Sequence, residues 1–357
     1  MPHDVRLQRP ASFDPETDMI ARITRLLLLA QVVVAVLLAT TIASHWPGLP
    51  LLVAAFFGLG CVLLLRAAIV ANNFRVAARY TDDVPADKAR LPTLLCMYFD
   101  ELKATLISSS WHMPFCRLGA APEILGGGLP VLLVHGYGCN SGYWQPMARA
   151  FRAAGISFHA IDLEPVLGDI DGYLPLISRG VALLRAAAGS AQVIIVAHSM
   201  GGLVARAWLR DNGWQQVATL ITLGTPHQGT ALAQLGVGKN ATQMRRIDQP
   251  AGAACNPWLA GLNSAPDEKR RRIVSLYSTY DNIVVPSTSA CLDGANNIAF
   301  PCIGHVALAS HPPVIAHVIE RIRQIDRDSV DAGDSHPVAA NGTASGQSMS
   351  IQEKPSS

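Results

Sequence analysis

The chain has 357 residues, 50% of them hydrophobic and only 15% charged, with a formal net charge of +2. Soluble domains are charged at about a quarter of their positions, so part of this chain is expected inside a bilayer. Near-neutral charge and scattered basic residues argue against a nucleic-acid partner, and no protein partner or cofactor is implied.

Residues 1–19 are polar, carry Pro2, Pro10 and Pro15, and read as a loose tail. From Leu26 to Leu65 there is no Lys, Arg, Asp or Glu. As helix that run is about 60 Å long, twice the roughly 30 Å hydrocarbon thickness of a bilayer. "SHWPG" at Ser44–Gly48 interrupts it with turn formers and an interfacial aromatic. Two spans, Ile20–Ala43 and Leu49–Ala71, are therefore expected as a transmembrane hairpin within residues 20–71. Arg6, Arg9, Arg22 and Arg25 precede the first span, and Arg66, Arg75, Arg79, Lys88 and Arg90 follow the second. The positive-inside rule puts both flanks in the cytoplasm. A cleaved signal peptide fits less well, because the apolar stretch is too long and the charged leader too extended.

Residues 72–128 form a connector. Within it Thr93–Ser110 has Leu95, Tyr98, Leu102 and Leu106 at helical spacing, so an amphipathic helix is expected, either on the membrane surface or packed on the following domain. From Leu129 short apolar runs alternate with helical patterns. The runs are Pro130–Val134, Ile156–Ile161, Val193–Ala197, Val217–Leu223, Ile273–Tyr280 and Asn297–Ile303. The helical patterns are Tyr143–Ala154, Tyr173–Ala188, Leu203–Asp211 and Pro313–Ile325. Continuous rather than alternating apolar strands mean an α/β fold whose mostly parallel sheet is covered by helices on both faces. The domain is expected over residues 129–326, followed by a disordered tail, 327–357, with almost no large apolar side chains.

Seven cysteines show no metal-ligand spacing, so no metal is expected. Free thiols suit a reducing compartment, although Cys291 and Cys302 could bridge in an oxidising one.

The run Val193–Ala197 leads into His198-Ser199-Met200-Gly201, one residue away from the strained nucleophile elbow G-x-S-x-G, with the small Ala197 in the first glycine position. An N-cap serine is the ordinary alternative. A nucleophilic serine needs a base and an orienting acid, here in the order Ser, Asp, His. Asp281 follows one strand run and His305 lies just past the next, both at carboxyl ends of strands. Asp293, in an Asp-Gly turn, and His311 and His317, at or within a helix, are poorer candidates. Met200 N–H and, from the "HGYG" loop after the first strand, Tyr137 N–H are the expected oxyanion donors. That loop has the wrong glycine spacing for a dinucleotide-binding turn, and Gly236–Asn240 lacks the pattern of a phosphate loop.

Together "HGYG", "AHSMGG", "LGTPHQGT", "YSTYDNIVVP", "LDGANN" and "IGHVAL" resemble the bacterial lipase and esterase branch of the α/β-hydrolase superfamily. The resemblance covers about Leu129–Ile325 and leaves out the hairpin, connector and tail. It implies Ser199 as nucleophile, Asp281 as acid, His305 as base, and Tyr137 and Met200 as oxyanion donors. Residues 224–271 are too long for an ordinary connection and read as a cap, from which Leu232, Leu235, Trp258 and Leu259 are expected to line an acyl pocket. The function expected is a cofactor-free serine carboxylic-ester hydrolase in the bacterial inner membrane, with its active domain in the cytoplasm and a lipid or acyl-ester substrate. Acyltransferase, thioesterase and non-catalytic scaffold are the competing readings.

Overall fold

The computed structural model describes residues 19–80, 90–249, 252–264 and 268–334. The polar leader up to residue 18 lies outside them. The apolar run folds as two helices, α1 (Met19–His45) and α2 (Leu51–Ala77), each 27 residues and about 40 Å long. Both are long and apolar enough to cross a membrane. They lie against each other along the run, and Leu49 N–H donates to the Trp46 carbonyl at 2.9 Å to close the turn between them.

Helix α3 (Leu91–Ile107) continues through one π-helical turn (Ser108–His112) into the short α4 (Met113–Phe115). The face it buries differs from the stripe read in the sequence. Met97, Glu101 and Ser108 are buried, whereas Leu95 is exposed and Tyr98, Leu102 and Leu106 are half-buried. The reason is that α3 is held from two sides. Tyr98 turns to the hairpin, donating to the Ala67 carbonyl at 2.8 Å and packing edge-on to Phe74, while Glu101 turns to the α/β domain.

That domain begins with β1 (Val131–Val134), α5 (Gln145–Ala154), β2 (Phe158–Ile161), α6 (Leu174–Ala188), β3 (Val193–His198), α7 (Met200–Asn212) and β4 (Val217–Leu223). An insertion follows, holding α8 (Lys239–Gln243), an antiparallel pair β5 (Arg246–Gln249) and β6 (Gly252–Cys255), and α9 (Pro257–Ser264). The chain then adds β7 (Ile273–Ser278), β8 (Asn296–Phe300) and α10 (Pro312–Asp334). The main sheet has the order β2-β1-β3-β4-β7-β8 and every pairing in it is parallel. This is the α/β-hydrolase arrangement expected from the sequence. The β5–β6 pair was not legible in it.

Strand period two explains the two-sided core. Leu132 and Val134 of β1 face α6 and α7, joining Ile177, Val181, Leu203 and Trp208. Val131 and Leu133 point to the opposite face, where α5 and α10 contribute Met147, Phe151, Val314, Val318 and Ile322. Each fully buried side chain of this size contributes about 1.5–3 kcal/mol. Ile20, at the start of α1, joins this second cluster, so the hairpin is packed onto the domain.

The disordered tail expected from residue 327 starts too early, because α10 runs to Asp334. Asp326 Oδ1 accepts the Leu129 N–H at 2.7 Å, which ties the helix to the start of β1 and lets it continue. Residues 335–357 lie outside the described residues. Cys291 and Cys302 are both free thiols.

Candidate active site

Ser199 stands between β3 and α7 with φ +54° and ψ −126°, a region that non-glycine residues rarely occupy and that costs about 1–3 kcal/mol. The corner is held from both ends. Ser199 N–H donates to the Leu223 carbonyl at 2.9 Å, and Thr225 Oγ1 donates to the Ser199 carbonyl at 2.9 Å. The two glycines after the elbow answer to close approach. A Cβ at Gly201 would sit 2.5 Å from the His135 carbonyl oxygen, and one at Gly202 would collide with Thr225 Oγ1. Although Ser199 occupies the N-cap position of α7, its side chain makes no capping bond. The ordinary reading of this serine as a helix cap therefore fails.

His305 and Asp281 meet across two loops at the carboxyl end of the sheet. His305 Nδ1 and Asp281 Oδ2 are 2.8 Å apart, and both side chains are almost fully buried. A carboxylate only accepts, so the ring donates from Nδ1 and keeps Nε2 free as a base. Asp281 Oδ1 accepts the N–H groups of Ile283 and Val284, each at 2.8 Å. The His305 N–H in turn donates to Asn282 Oδ1 at 2.9 Å. Burial alone would lower the His305 pKa. The charge and hydrogen bond of Asp281, with a smaller contribution from Glu101, outweigh it and raise the value.

Ser199 and His305 line one cavity of about 260 Å³ together with Tyr137, Tyr143, His198 and Ile283. The Tyr137 loop lies directly against the nucleophile corner, since a Cβ at the adjacent Gly136 would sit 2.8 Å from Ser199 Cβ. The Tyr137 hydroxyl donates to the Val237 carbonyl at 2.9 Å and so pins the insertion beside the cavity. Beneath it, His135 donates from Nδ1 to the Gly136 carbonyl and accepts the Leu163 N–H at Nε2, each at 2.9 Å. Both bonds require the neutral ring, and burial lowers the His135 pKa accordingly. His198 points inward, donating from Nε2 to the His305 carbonyl at 3.1 Å, with its ring 4.6 Å from those of Tyr143 and His305. Burial, and then the neighbouring His305, hold His198 well below the usual histidine value. His227 is buried and accepts at Nδ1 from Arg206 at 3.2 Å, a structural bond away from the cavity.

The pocket residues expected from the insertion are not brought to this cavity. Leu259 is fully buried in the core under α7, and Trp258 packs against that core with Nε1 donating to Asp171 at 2.8 Å. Leu232 is half-buried and Leu235 is 82% exposed. Instead the connector supplies Thr105, Ser108, Ser109 and Met113 to the wall. Within the insertion α9 packs on α7, whereas the segment from the end of α3 to α4 reaches the cavity. Among the described residues, no cluster of three or more His, Cys, Asp or Glu side chains could hold a metal ion.

Comparison with known proteins agrees with the fold. A family model described as a PGAP1-like alpha/beta domain matches residues 173–248, the stretch containing Ser199. The chain is 32% identical over 116 residues to a triacylglycerol lipase of Pseudarthrobacter phenanthrenivorans, a match that covers 29% of this chain and 35% of that protein. A triacylglycerol lipase of Burkholderia plantarii matches with the same identity over 116 residues, covering 29% and 31%. The chain thus spans about a third of the length of the curated relatives it matches. Among solved structures it is similar to the mature Bacillus licheniformis lipase BlEst2, with TM-score 0.46, 20% identity and coverage of 54% and 92%. It is also similar to Aspergillus fumigatus lipase B, with TM-score 0.47, 18% identity and coverage of 58% and 55%. The matched family model is likewise an alpha/beta domain, and the sequence similarity lies with bacterial triacylglycerol lipases.

Proposed function

We propose that this protein is a membrane-anchored serine hydrolase that cleaves carboxylic esters of lipophilic acyl groups. The reading is carried by one observation: an uncapped serine in a strained elbow shares a cavity with a histidine whose Nδ1 is committed to a buried aspartate. His305 Nε2 takes the Ser199 hydroxyl proton as Oγ attacks the acyl carbon, and the developing oxyanion accepts from Met200 N–H and Tyr137 N–H. Collapse expels the alcohol, which takes its proton from His305. Water activated by the same ring then releases the acid from the acyl-enzyme. Asp281 holds the ring in the required tautomer and stabilises the imidazolium.

The lipophilic substrate is supported by the surroundings of the site. On the outer face of the connector Phe99, Lys103, Ile107, Trp111 and Phe115 recur every four residues and are exposed, Trp111 by 60% and Phe115 by 55%. This face adjoins the base of the hairpin, where Arg25 Nε donates to the Pro114 carbonyl at 2.9 Å and its guanidinium lies over the Phe115 ring. Thr105, Ser108 and Ser109, from the same helical segment, wall the cavity. A bilayer holding α1 and α2 would therefore present esters next to Ser199. The arginines at both flanks favour a cytoplasmic domain.

Hydrolysis of p-nitrophenyl esters from acetyl to palmitoyl, by the full chain and by Ser199→Ala, tests the proposal. The expected result is turnover that rises with chain length and is lost in the variant, together with loss of fluorophosphonate labelling. Equal rates in both proteins would reject it.

A further inference from the structure

We propose that Glu101, on the connector helix, is a positioning residue that sets the His305 loop for the reaction. The inference rests on the hydrolase reading above and adds a residue from outside the α/β domain to its working parts.

Glu101 is 1% exposed, although it stands in the middle of α3. Its two oxygens take up the two backbone amides that follow His305. Oε1 accepts from Val306 N–H at 3.1 Å and Oε2 from Ala307 N–H at 2.9 Å. With the His305 N–H held by Asn282 at 2.9 Å, three successive amides of this loop are fixed by side chains from two other segments. The approach requires glycine at 304, where a Cβ would lie 2.5 Å from Glu101 Cδ.

The bonding selects a carboxylate. Both oxygens serve as acceptors, whereas glutamine would turn an N–H₂ group toward one of the two amides. Burial, with Asp281 adding to it, holds the Glu101 pKa above the ordinary carboxylate value, and the bonds from Ala307 and Val306 and the nearby His305 only partly offset this. The titratable groups facing His305 are Asp281, Glu101 and His198, and Tyr143 packs on His198 and donates to the Val306 carbonyl at 3.0 Å. The imidazolium formed during attack on the ester thus meets two carboxylates, Asp281 at Nδ1 and Glu101 behind the loop.

The helix that carries Glu101 is itself tied to the hairpin. Tyr98 bonds the Ala67 carbonyl, and Arg66 donates to Ser110 Oγ at 2.7 Å and to Ser109 Oγ. Membrane hairpin, connector and His305 loop are in this way joined by consecutive polar contacts.

The test compares the full chain with Glu101→Gln and Glu101→Asp, using p-nitrophenyl butyrate kinetics and a nitrogen-15 histidine titration of His305. For Glu101→Gln kcat is expected to fall about 10- to 100-fold with KM within about twofold. The ascending limb of kcat/KM and the His305 midpoint should both move to lower pH, by about half a unit or more, because a negative charge that favours imidazolium is lost. Glu101→Asp keeps that charge and should hold the midpoint near the wild-type value. Wild-type kcat together with an unmoved midpoint in Glu101→Gln would overturn the proposal. Should Glu101→Gln not fold, Gly304→Ala displaces the carboxylate without neutralising it: a lower kcat at unchanged KM supports the proposal, and wild-type kcat overturns it. A wild-type chain without turnover would sink the hydrolase reading, while the midpoint shift would still report the hold of Glu101 on His305.

Discussion

The two corners that face each other across the cavity are built in different ways. The Ser199 corner draws mostly on its neighbours in the sequence, β3 before it and Gly201 and Gly202 after it, with Thr225 holding its carbonyl from the next strand loop. The His305 corner has no such local frame: Asp281 and Asn282 reach it from the preceding loop, and Glu101 stands some 205 residues from the amide it holds. A strained nucleophile can be specified by a few adjacent small residues, because its geometry is a backbone property. A base must be placed relative to an acid and a serine that arrive on other elements, so its loop needs long-range support.

Substitutions separate these two kinds of support. Ser199→Ala removes the nucleophile and should lower kcat by about 10⁵-fold or more, read by ester hydrolysis and fluorophosphonate labelling. Asp281→Asn keeps the shape but offers the ring the wrong tautomer, and should cost about 10⁴-fold in kcat with the melting temperature nearly unchanged. Asn282→Ala leaves the His305 amide without its acceptor and lets the loop shift, an expected loss of about 10- to 100-fold in kcat.

The pH profile reads the loop without mutation. His305 must be neutral to act as base, and its pKa in the fold is raised, so the inactive imidazolium persists to higher pH. The ascending limb of kcat/KM should therefore lie above the usual histidine value of about 6.5, with activity lost as pH falls through it. At the small end, Leu235→Ser alters an exposed side chain that is not part of the cavity wall. Stability within about 0.5 kcal/mol of wild type and unchanged hydrolysis of palmitoyl ester are expected, whereas a large rise in KM would return the insertion to the acyl pocket.

The same contrast explains how much of the fold and of the site is legible in the amino-acid sequence. The parallel sheet is visible there because its strands are continuous apolar runs, and Ser199 because its small neighbours sit beside it in the chain. Asp281 and His305 can be found from chain order and strand ends. Glu101 cannot, since an acid in "DEL" on an amphipathic helix reads as solvent-facing unless the burying face is known. The stripe Leu95, Tyr98, Leu102 and Leu106 describes a helix packed on one side only, whereas α3 is held by both α2 and the α/β domain. A signal is present in Met97, Glu101 and Ser108, spaced four and seven residues apart along one face, but only the folded chain shows that this face is covered. The expected pocket residues of the insertion lie away from the cavity for a related reason. Trp258 and Leu259 are apolar because they cover α7, and a set of apolar residues in an insertion does not say which surface they cover.

The connector's share of the cavity wall also bears on where the heritable unit that forms this cavity begins. A chain cut at Leu129 would lack Thr105, Ser108, Ser109 and Met113 from the cavity and Glu101 from the His305 loop. A hairpin exchanged with that of another membrane protein would have to bring an equivalent of α3 or leave Ser199 open to water on that side. Connector and α/β domain are therefore expected to travel together through evolution, with the seam of any recombination falling before Leu91 and not at the first strand.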